Sequence, residues 1–186
     1  MVSFSALWLP ILLSAVFVFF VSSILHMALP YHKSDYRKLP EEDRVLDALR
    51  SASVAPGRAY HFPYTSHKEM KTPAAQERFK RGPVGLLTII PSGPPAMGKY
   101  LGLWFVYCLL ISAFVGCLAG LTHALGAEFH EIFHFAALTA FLAYAAAQLQ
   151  DSVWKAQTWG VTFKHVFDGF LYALATGATF AWLWPK

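Results

Sequence analysis

Residues 4–29 read FSALWLPILLSAVFVFFVSSILHMAL and contain no Asp, Glu, Lys or Arg. A helix rises about 1.5 Å per residue, so roughly 20 apolar residues cross the hydrocarbon core of a bilayer. The competing interpretation is a cleaved signal peptide, which needs a positively charged region before its apolar part. No Lys or Arg precedes Lys33, so we expect this stretch to be a retained membrane span.

The composition of the whole chain agrees with a membrane protein. Of its 186 residues, 56% are hydrophobic and only 14% are charged, whereas soluble domains contain about 25% charged residues. So much apolar mass excludes a disordered chain. Two cysteines are too few for a small secreted module held together by disulfides.

Three further apolar stretches predict spans at about 100–125, 132–154 and 161–184. The second and third spans are joined by only about six residues, which predicts an antiparallel helical hairpin. The predicted fold class is therefore an all-α integral membrane protein with four transmembrane helices. Its predicted parts are a first helix in residues 1–30, an ordered loop of about 70 residues in 31–99, and a three-helix transmembrane unit in 100–186.

The basic residues predict the orientation of the spans. Twelve of the 15 Lys and Arg residues lie between Lys33 and Lys99, and Lys155 and Lys164 flank the other connection on that side. Loops rich in Lys and Arg stay in the cytoplasm, so we expect a cytoplasmic loop and both termini outside. The predicted location is a bacterial inner membrane, because the chain is a compact multi-pass protein without a targeting segment.

The loop between the first two spans is rich in aromatic residues and leucine, which predicts order. Short amphipathic helices are expected at Pro40–Ser51 and at Pro73–Arg81, the latter with Thr72 as its N-cap. Lys33–Lys99 contains 12 basic and 7 acidic residues. This excess predicts attraction to anionic lipid headgroups, with a docking surface for another protein as the alternative. Nucleic acid is not expected, because no binding module accompanies the charge.

Small residues at four-residue spacing predict where the spans pack. Such residues let helix backbones approach closely in a bilayer. We expect them to pack within the bundle, with a partner protein as the alternative. They are Gly116 and Gly120 in the second span, and Gly169, Ala173, Gly177 and Ala181 in the fourth.

Each span carries a histidine near one end. His26 and His165 are expected in the cytoplasmic leaflet, and His123 and His134 in the outer one. Two histidines on neighbouring helices can ligate a haem b iron, and one pair in each leaflet would suit electron transfer across the membrane. The alternative is that these amphipathic side chains lie near the headgroups without a ligand.

The sequence His130-Glu131-Ile132-Phe133-His134 has the HExxH pattern, which places two imidazoles on one helix face, as zinc requires. A metalloprotease is disfavoured, because the motif lies at the outer mouth of a span and no third ligand follows in a known arrangement. An outer site for a divalent metal, formed by His123, Glu128, His130 and His134, is the broader hypothesis.

Lys164 and Asp168 lie four residues apart in the predicted fourth span. Side chains at this spacing meet on one helix face, so we expect a structural ion pair. An acidic residue within a span also suggests a functional site.

These patterns predict a small polytopic accessory or structural subunit of a larger membrane complex, with no catalysis, no cofactor and other membrane subunits as partners. The alternative is a membrane redox protein that binds haem or a metal through the paired histidines. A small transporter is third, because transporters normally place ionisable groups near the bilayer centre, and no span has one there.

Overall fold

The computed structural model describes all residues from Met1 to Lys186. The chain forms two compact units, one from Met1–Tyr36 and Ala96–Lys186 and the other from Arg37–Pro95. The helices of the first unit, numbered along the chain, are α1 (Trp8–Ser23), α4 (Met97–Thr122), α5 (Phe129–Tyr144), α6 (Leu149–Trp154) and α7 (Trp159–Trp182). The second unit contains α2 (Glu42–Ser51), β1 (Arg58–Phe62), α3 (Pro73–Arg81) and β2 (Gly85–Ile89).

Three helical stretches are long and apolar enough to cross a membrane: Phe4–Ala28, Met97–Thr122 and Phe129–Trp154. The first is α1 with a short 3-10 turn before it and a π-helical turn after it, and the third joins α5 and α6 through a 3-10 turn. These helices are consistent with an integral membrane protein. The fourth long helix, α7, is not among them, since polar side chains in its first half lower its hydropathy. Its role as a span therefore stays a prediction.

The helices of the first unit pack as a bundle. Helix α7 lies against both α1 and α5, and α1 also lies against α4. Their common core contains the fully buried side chains of Leu7, Val115, Ile132 and Phe180. The core also includes a polar contact, in which the Ser112 hydroxyl donates to the Ser14 hydroxyl at 3.2 Å.

The glycines named as packing residues lie where helices touch. A Cβ atom on Gly177 would lie 2.7 Å from the Ala137 Cβ, and one on Gly169 would lie 2.8 Å from the Ala145 Cβ. A Cβ on Gly116 would meet Ile11 on α1 at 3.0 Å. Gly120 faces the Val2 carbonyl oxygen, and Ala173 and Ala181 are buried as well. All six residues pack inside the bundle.

Both termini lie at the same end of the bundle. The Val2 amide donates to the Gly120 carbonyl near the end of α4 at 2.8 Å. The Gly126 amide, in the connection between α4 and α5, donates to the Pro185 carbonyl at 2.8 Å. These bonds tie the N-terminus, the C-terminus and this connection together. The opposite end carries the cluster of ionisable side chains described below.

The second unit contains a small antiparallel sheet, which corrects the all-α prediction. Strands β1 and β2 pair with Tyr60 opposite Leu87. Pairing of the two strands satisfies backbone hydrogen bonds of both.

The two helices of the second unit begin at recognisable start signals. Helix α3 begins at Pro73, and the preceding Thr72 hydroxyl accepts a hydrogen bond from the Ala75 amide at 3.3 Å. Helix α2 has acidic residues in its first turn, where their negative charge interacts favourably with the positive end of the helix dipole.

Candidate metal centre

Three imidazole nitrogens surround one carboxylate oxygen at the end of the bundle opposite the termini. The Asp168 Oδ2 atom lies 3.0 Å from His32 Nε2, 3.8 Å from His26 Nε2 and 3.8 Å from His165 Nδ1. We call these four residues the His–Asp cluster. Its Asp168 side chain is only 3% exposed, whereas that of His26 is 43% exposed. The cluster is therefore buried on one side and open on the other.

The end of the first span brings two of these histidines together. His26 lies in the π-helical turn Ile24–Ala28, a rare element that is frequent at functional sites. The chain then becomes extended at Leu29, and Pro30 starts the 3-10 turn Pro30–Ser34. This change of direction stacks the ring of His32 on that of His26, with 4.2 Å between their centroids.

Helix α7 supplies the other cluster residues. His165 and Asp168 are three residues apart, so they share a helix face. The Tyr31 hydroxyl donates to Asp168 Oδ1, which leaves Oδ2 facing the imidazoles. One turn further along α7, the Tyr172 hydroxyl lies 3.3 Å from His26 Nε2.

A second layer of charged groups supports His32. The Lys164 ammonium donates to the Tyr31 carbonyl at 2.6 Å, to the Ser34 hydroxyl at 2.8 Å and to Asp35 Oδ1 at 2.6 Å. The other oxygen of Asp35 accepts from His32 Nδ1 at 2.6 Å. Asp35 therefore links Lys164 to His32.

The protonation of the supporting groups follows from these contacts. Burial opposes the charge on Asp35, but hydrogen bonds from Lys164 and His32 outweigh it and hold the pKa of this carboxyl below its usual range. Burial and the hydrogen bond to Asp168 raise the pKa of Tyr31 above its ordinary value. At neutral pH, Asp35 is a charged acceptor and Tyr31 a neutral donor.

The facing atoms of His32 and Asp168 have no hydrogen-bond partner. Both His32 Nε2 and Asp168 Oδ2 are buried, and at 3.0 Å they do not meet in hydrogen-bond geometry. Because His32 Nδ1 donates its hydrogen to Asp35, a neutral ring presents a lone pair at Nε2. Two facing electron pairs repel each other, so either a metal cation or a proton on Nε2 must lie between them.

The distances and charges suit a metal ion. Tetrahedral nitrogen and oxygen ligands at about 2.0–2.2 Å from zinc are about 3.3–3.5 Å apart, and the distances from Asp168 Oδ2 to His32 Nε2 and His26 Nε2 bracket this value. When the imidazoles are neutral, the positive charge of Lys164 balances only one of the two negative charges on Asp35 and Asp168. One negative charge is then left unbalanced. The ligand atoms of His26, His32 and Asp168 all lie within 4.8 Å of one another, and this group could hold a metal.

The predicted ion pair between Lys164 and Asp168 is replaced by another pairing. Lys164 Nζ lies 2.6 Å from Asp35 Oδ1, and no Lys164–Asp168 contact forms. The physical reason is the turn that begins at Pro30, which brings a second carboxylate to Lys164. Asp168 faces Tyr31 and the imidazoles instead.

The predicted cytoplasmic haem pair also has a different arrangement. The ring of His32 stacks on His26 and also on His165, with 5.6 Å between the latter centroids. An imidazole therefore occupies the space that a macrocycle would need between His26 and His165.

The outer histidines do not converge on one point. The ring of His123 packs on Phe135, and His134 Nδ1 donates to the His130 carbonyl at 2.7 Å. No three of the predicted ligands His123, Glu128, His130 and His134 bring ligand atoms within 4.8 Å of one another. These contacts do not assemble the predicted outer site.

Sequence reasoning missed Tyr31, His32 and Asp35, which it assigned to the loop. The available signal was a Pro directly after a span, followed by a His and an Asp three residues apart. A helical turn started by Pro30 places those two side chains on one face.

Two apolar grooves of the bundle surface, of about 610 and 320 Å³, have no residue of the His–Asp cluster in their lining. The larger is lined by Phe17, Phe20, Val21, Ile24, Phe129, Ala175, Ala178, Thr179 and Trp182. Since they offer few polar groups, the ionisable cluster is the stronger candidate for chemistry.

Fold and site together define a mainly helical protein with three apolar helices of membrane-spanning length and a His–Asp group able to hold a metal ion. Comparisons with family models, with curated proteins and with solved structures each find no match.

Proposed function

We propose that this chain is a four-span membrane protein that binds a divalent transition-metal ion in its His–Asp cluster. The observation that carries the proposal is the pair of buried, unpartnered atoms His32 Nε2 and Asp168 Oδ2, with His26 Nε2 and His165 Nδ1 each 3.8 Å from the same oxygen. Imidazole ligands suit zinc, iron, copper and nickel better than magnesium or calcium. A second layer that orients a ligand histidine is usual at metal sites.

The ligand atoms of the proposed site indicate which metal ions it suits. Two imidazoles with one carboxylate, as in the group of His26, His32 and Asp168, form the facial triad of non-haem iron(II) sites, and the same three ligands with a water in the fourth position suit tetrahedral zinc. The half-exposed His26 leaves a side on which water or another small ligand can bind. The site therefore favours a metal-binding protein, the alternative predicted from the sequence, over a protein without a cofactor.

The proposed topology has four spans with both termini outside. Helix α7 has 24 residues, about 36 Å in length, and it packs along α1 and α5. The shared end of the two termini and the concentration of basic residues in Lys33–Lys99 support the same orientation. The His–Asp cluster would then lie at the cytoplasmic face of a bacterial inner membrane.

Labelling of single cysteines tests this topology. In a variant without Cys108 and Cys117, we expect Ala124→Cys to react with a membrane-impermeant maleimide in intact cells. His67→Cys should react only after the membrane is permeabilised, because the basic loop is cytoplasmic. Equal reactivity of both positions in intact cells would contradict the orientation.

A second candidate function is an accessory subunit of a membrane complex. The observation that favours it is the separate unit Arg37–Pro95, which carries ten Lys and Arg against six Asp and Glu. Such a surface can bind acidic partner subunits as well as anionic headgroups. Each basic residue near an anionic membrane surface contributes about 1 kcal/mol of binding free energy. Both functions are compatible in one protein.

A native mass spectrum of the protein, gently solubilised from its own membrane, tests both functions. We expect one transition-metal ion per chain, and additional polypeptides if the chain is also a subunit. A metal-free chain that also fails to bind added Zn²⁺, Co²⁺ and Fe²⁺ would reject the metal proposal, since His32 would then be a protonated partner of Asp168. A haem-sized mass increment would reject the proposed ligand set.

A further inference from the structure

We propose that Asp35 and Lys164 are positioning residues for the metal, which hold His32 in the ring orientation and tautomer that present Nε2 to it. This inference rests on the proposed metal site and names two residues that do not touch the metal themselves.

The first step is the hydrogen bond from His32 Nδ1 to Asp35 Oδ2, at 2.6 Å. An imidazole has two nitrogens, and a metal binds only the one without a hydrogen. A carboxylate that accepts from Nδ1 keeps the hydrogen there and makes Nε2 the more basic ligand. Asp35 therefore selects the nitrogen that faces Asp168.

The second step is the attachment of Asp35 to the fold. The Asp35 side chain is 5% exposed, and its other oxygen accepts from Lys164 at 2.6 Å. The remaining two ammonium hydrogens of Lys164 bond to the Tyr31 carbonyl and the Ser34 hydroxyl. All three acceptors belong to residues 31–35, so one side chain of α7 fixes the whole turn that carries His32.

The third step is the parallel support of Asp168. The Tyr31 hydroxyl donates to Asp168 Oδ1, and Tyr31 belongs to the turn that Lys164 holds. Lys164 thus acts on both facing ligands: on His32 through Asp35, and on Asp168 through the placement of Tyr31. Without Lys164, we expect the fold to persist and the two ligands to lose their alignment.

The test compares metal binding in Asp35→Asn and Lys164→Met with that of the unaltered full-length protein. Asn keeps an acceptor for His32 but loses the charge, and Met keeps the length of Lys without its hydrogen bonds. We expect each variant to bind Zn²⁺ about 10- to 100-fold more weakly, the usual effect of removing outer-layer partners. We also expect altered d–d absorption bands of bound Co²⁺, which report ligand geometry.

The matched controls are Asp151→Asn and Lys155→Met. Asp151, on α6, and Lys155, directly after α6, form an ion pair at 2.7 Å that includes no residue of the cluster. We expect both controls to retain the Zn²⁺ affinity and the Co²⁺ spectrum of the unaltered protein. If Lys164→Met does not fold, Lys164→Arg replaces it in the same measurement; it keeps the charge but replaces the compact ammonium with a planar guanidinium, whose donors have a different geometry.

The outcomes separate this inference from the proposed function. If the unaltered protein binds Zn²⁺ and the Asp35 and Lys164 variants bind it equally well with unchanged Co²⁺ spectra, the positioning role is rejected and the metal site stands. If those variants lose only thermal stability, their role is structural. If the unaltered protein does not bind Zn²⁺ or Co²⁺, both proposals are rejected together.

Discussion

The substitution Asp168→Asn is expected to weaken Zn²⁺ binding by about 100-fold. Apparent binding free energies of structural zinc sites are about 10–16 kcal/mol, so each of four ligands contributes about 3 kcal/mol on average, or roughly a factor of 100. Asn has nearly the same shape as Asp, and its oxygen can still accept from Tyr31. The change therefore removes mainly the negative charge at the centre of the three imidazoles.

Competition between the protein and a chelating zinc indicator measures this effect directly. A second readout is thermal stability, because a ligand that binds only the folded state raises its stability, by about 2.7 kcal/mol at 100 times the Kd. We expect Zn²⁺ to raise the melting temperature of the unaltered protein but not that of Asp168→Asn. Asp151→Asn is the control, since Asp151 pairs with Lys155 outside the cluster. Equal Zn²⁺ affinities of Asp168→Asn and the unaltered protein would refute the assignment of Asp168 as a ligand.

Much of the helical part of the fold could be predicted from the sequence, because apolar length is a local property. Three predicted spans agree with helices of membrane-spanning length. Thr72 and Pro73 gave the start of α3 for a similar reason, since capping depends on adjacent residues. The sheet was not predicted, because β1 and β2 are separated by more than 20 residues and the affinity of one strand for another depends on partners distant along the chain.

The candidate site, too, could be predicted only in part from the sequence. His26, His165 and Asp168 could be named from the sequence as polar groups within apolar spans. Their convergence could not, because it depends on a π-helical turn and on the reversal at Pro30. The spacing predicted an ion pair between Lys164 and Asp168, because residues at i and i+4 are neighbours on a helix surface. The turn that begins at Pro30 brings Asp35 to Lys164 in place of Asp168, and no sequence pattern within α7 predicts this partner.

The contact between α5 and α7 has no space for a side chain at Gly177. A Cβ there would lie 2.7 Å from the Ala137 Cβ and 2.9 Å from the Phe133 carbonyl oxygen. Both distances are shorter than real Cβ contacts, and the carbonyl belongs to a helix that cannot move locally. Gly169, two turns earlier on α7, is equally close to the backbone of Tyr144. These two positions align α7 with α5, and α7 carries half of the His–Asp cluster.

Gly177→Leu is therefore expected to destabilise the bundle by about 1–3 kcal/mol, the usual effect of overpacking a core. At about 2–4 °C for each kcal/mol in a chain of this size, the melting temperature in detergent should fall by several degrees. Gly102→Leu on α4 is the matched control, because a Cβ at Gly102 meets nothing within 4 Å. Size-exclusion chromatography after heating measures both variants. Equal melting temperatures would mean that Gly177 does not set the approach of α5 and α7, whereas a loss confined to Gly177→Leu would show that the small residues hold this protein's own bundle together.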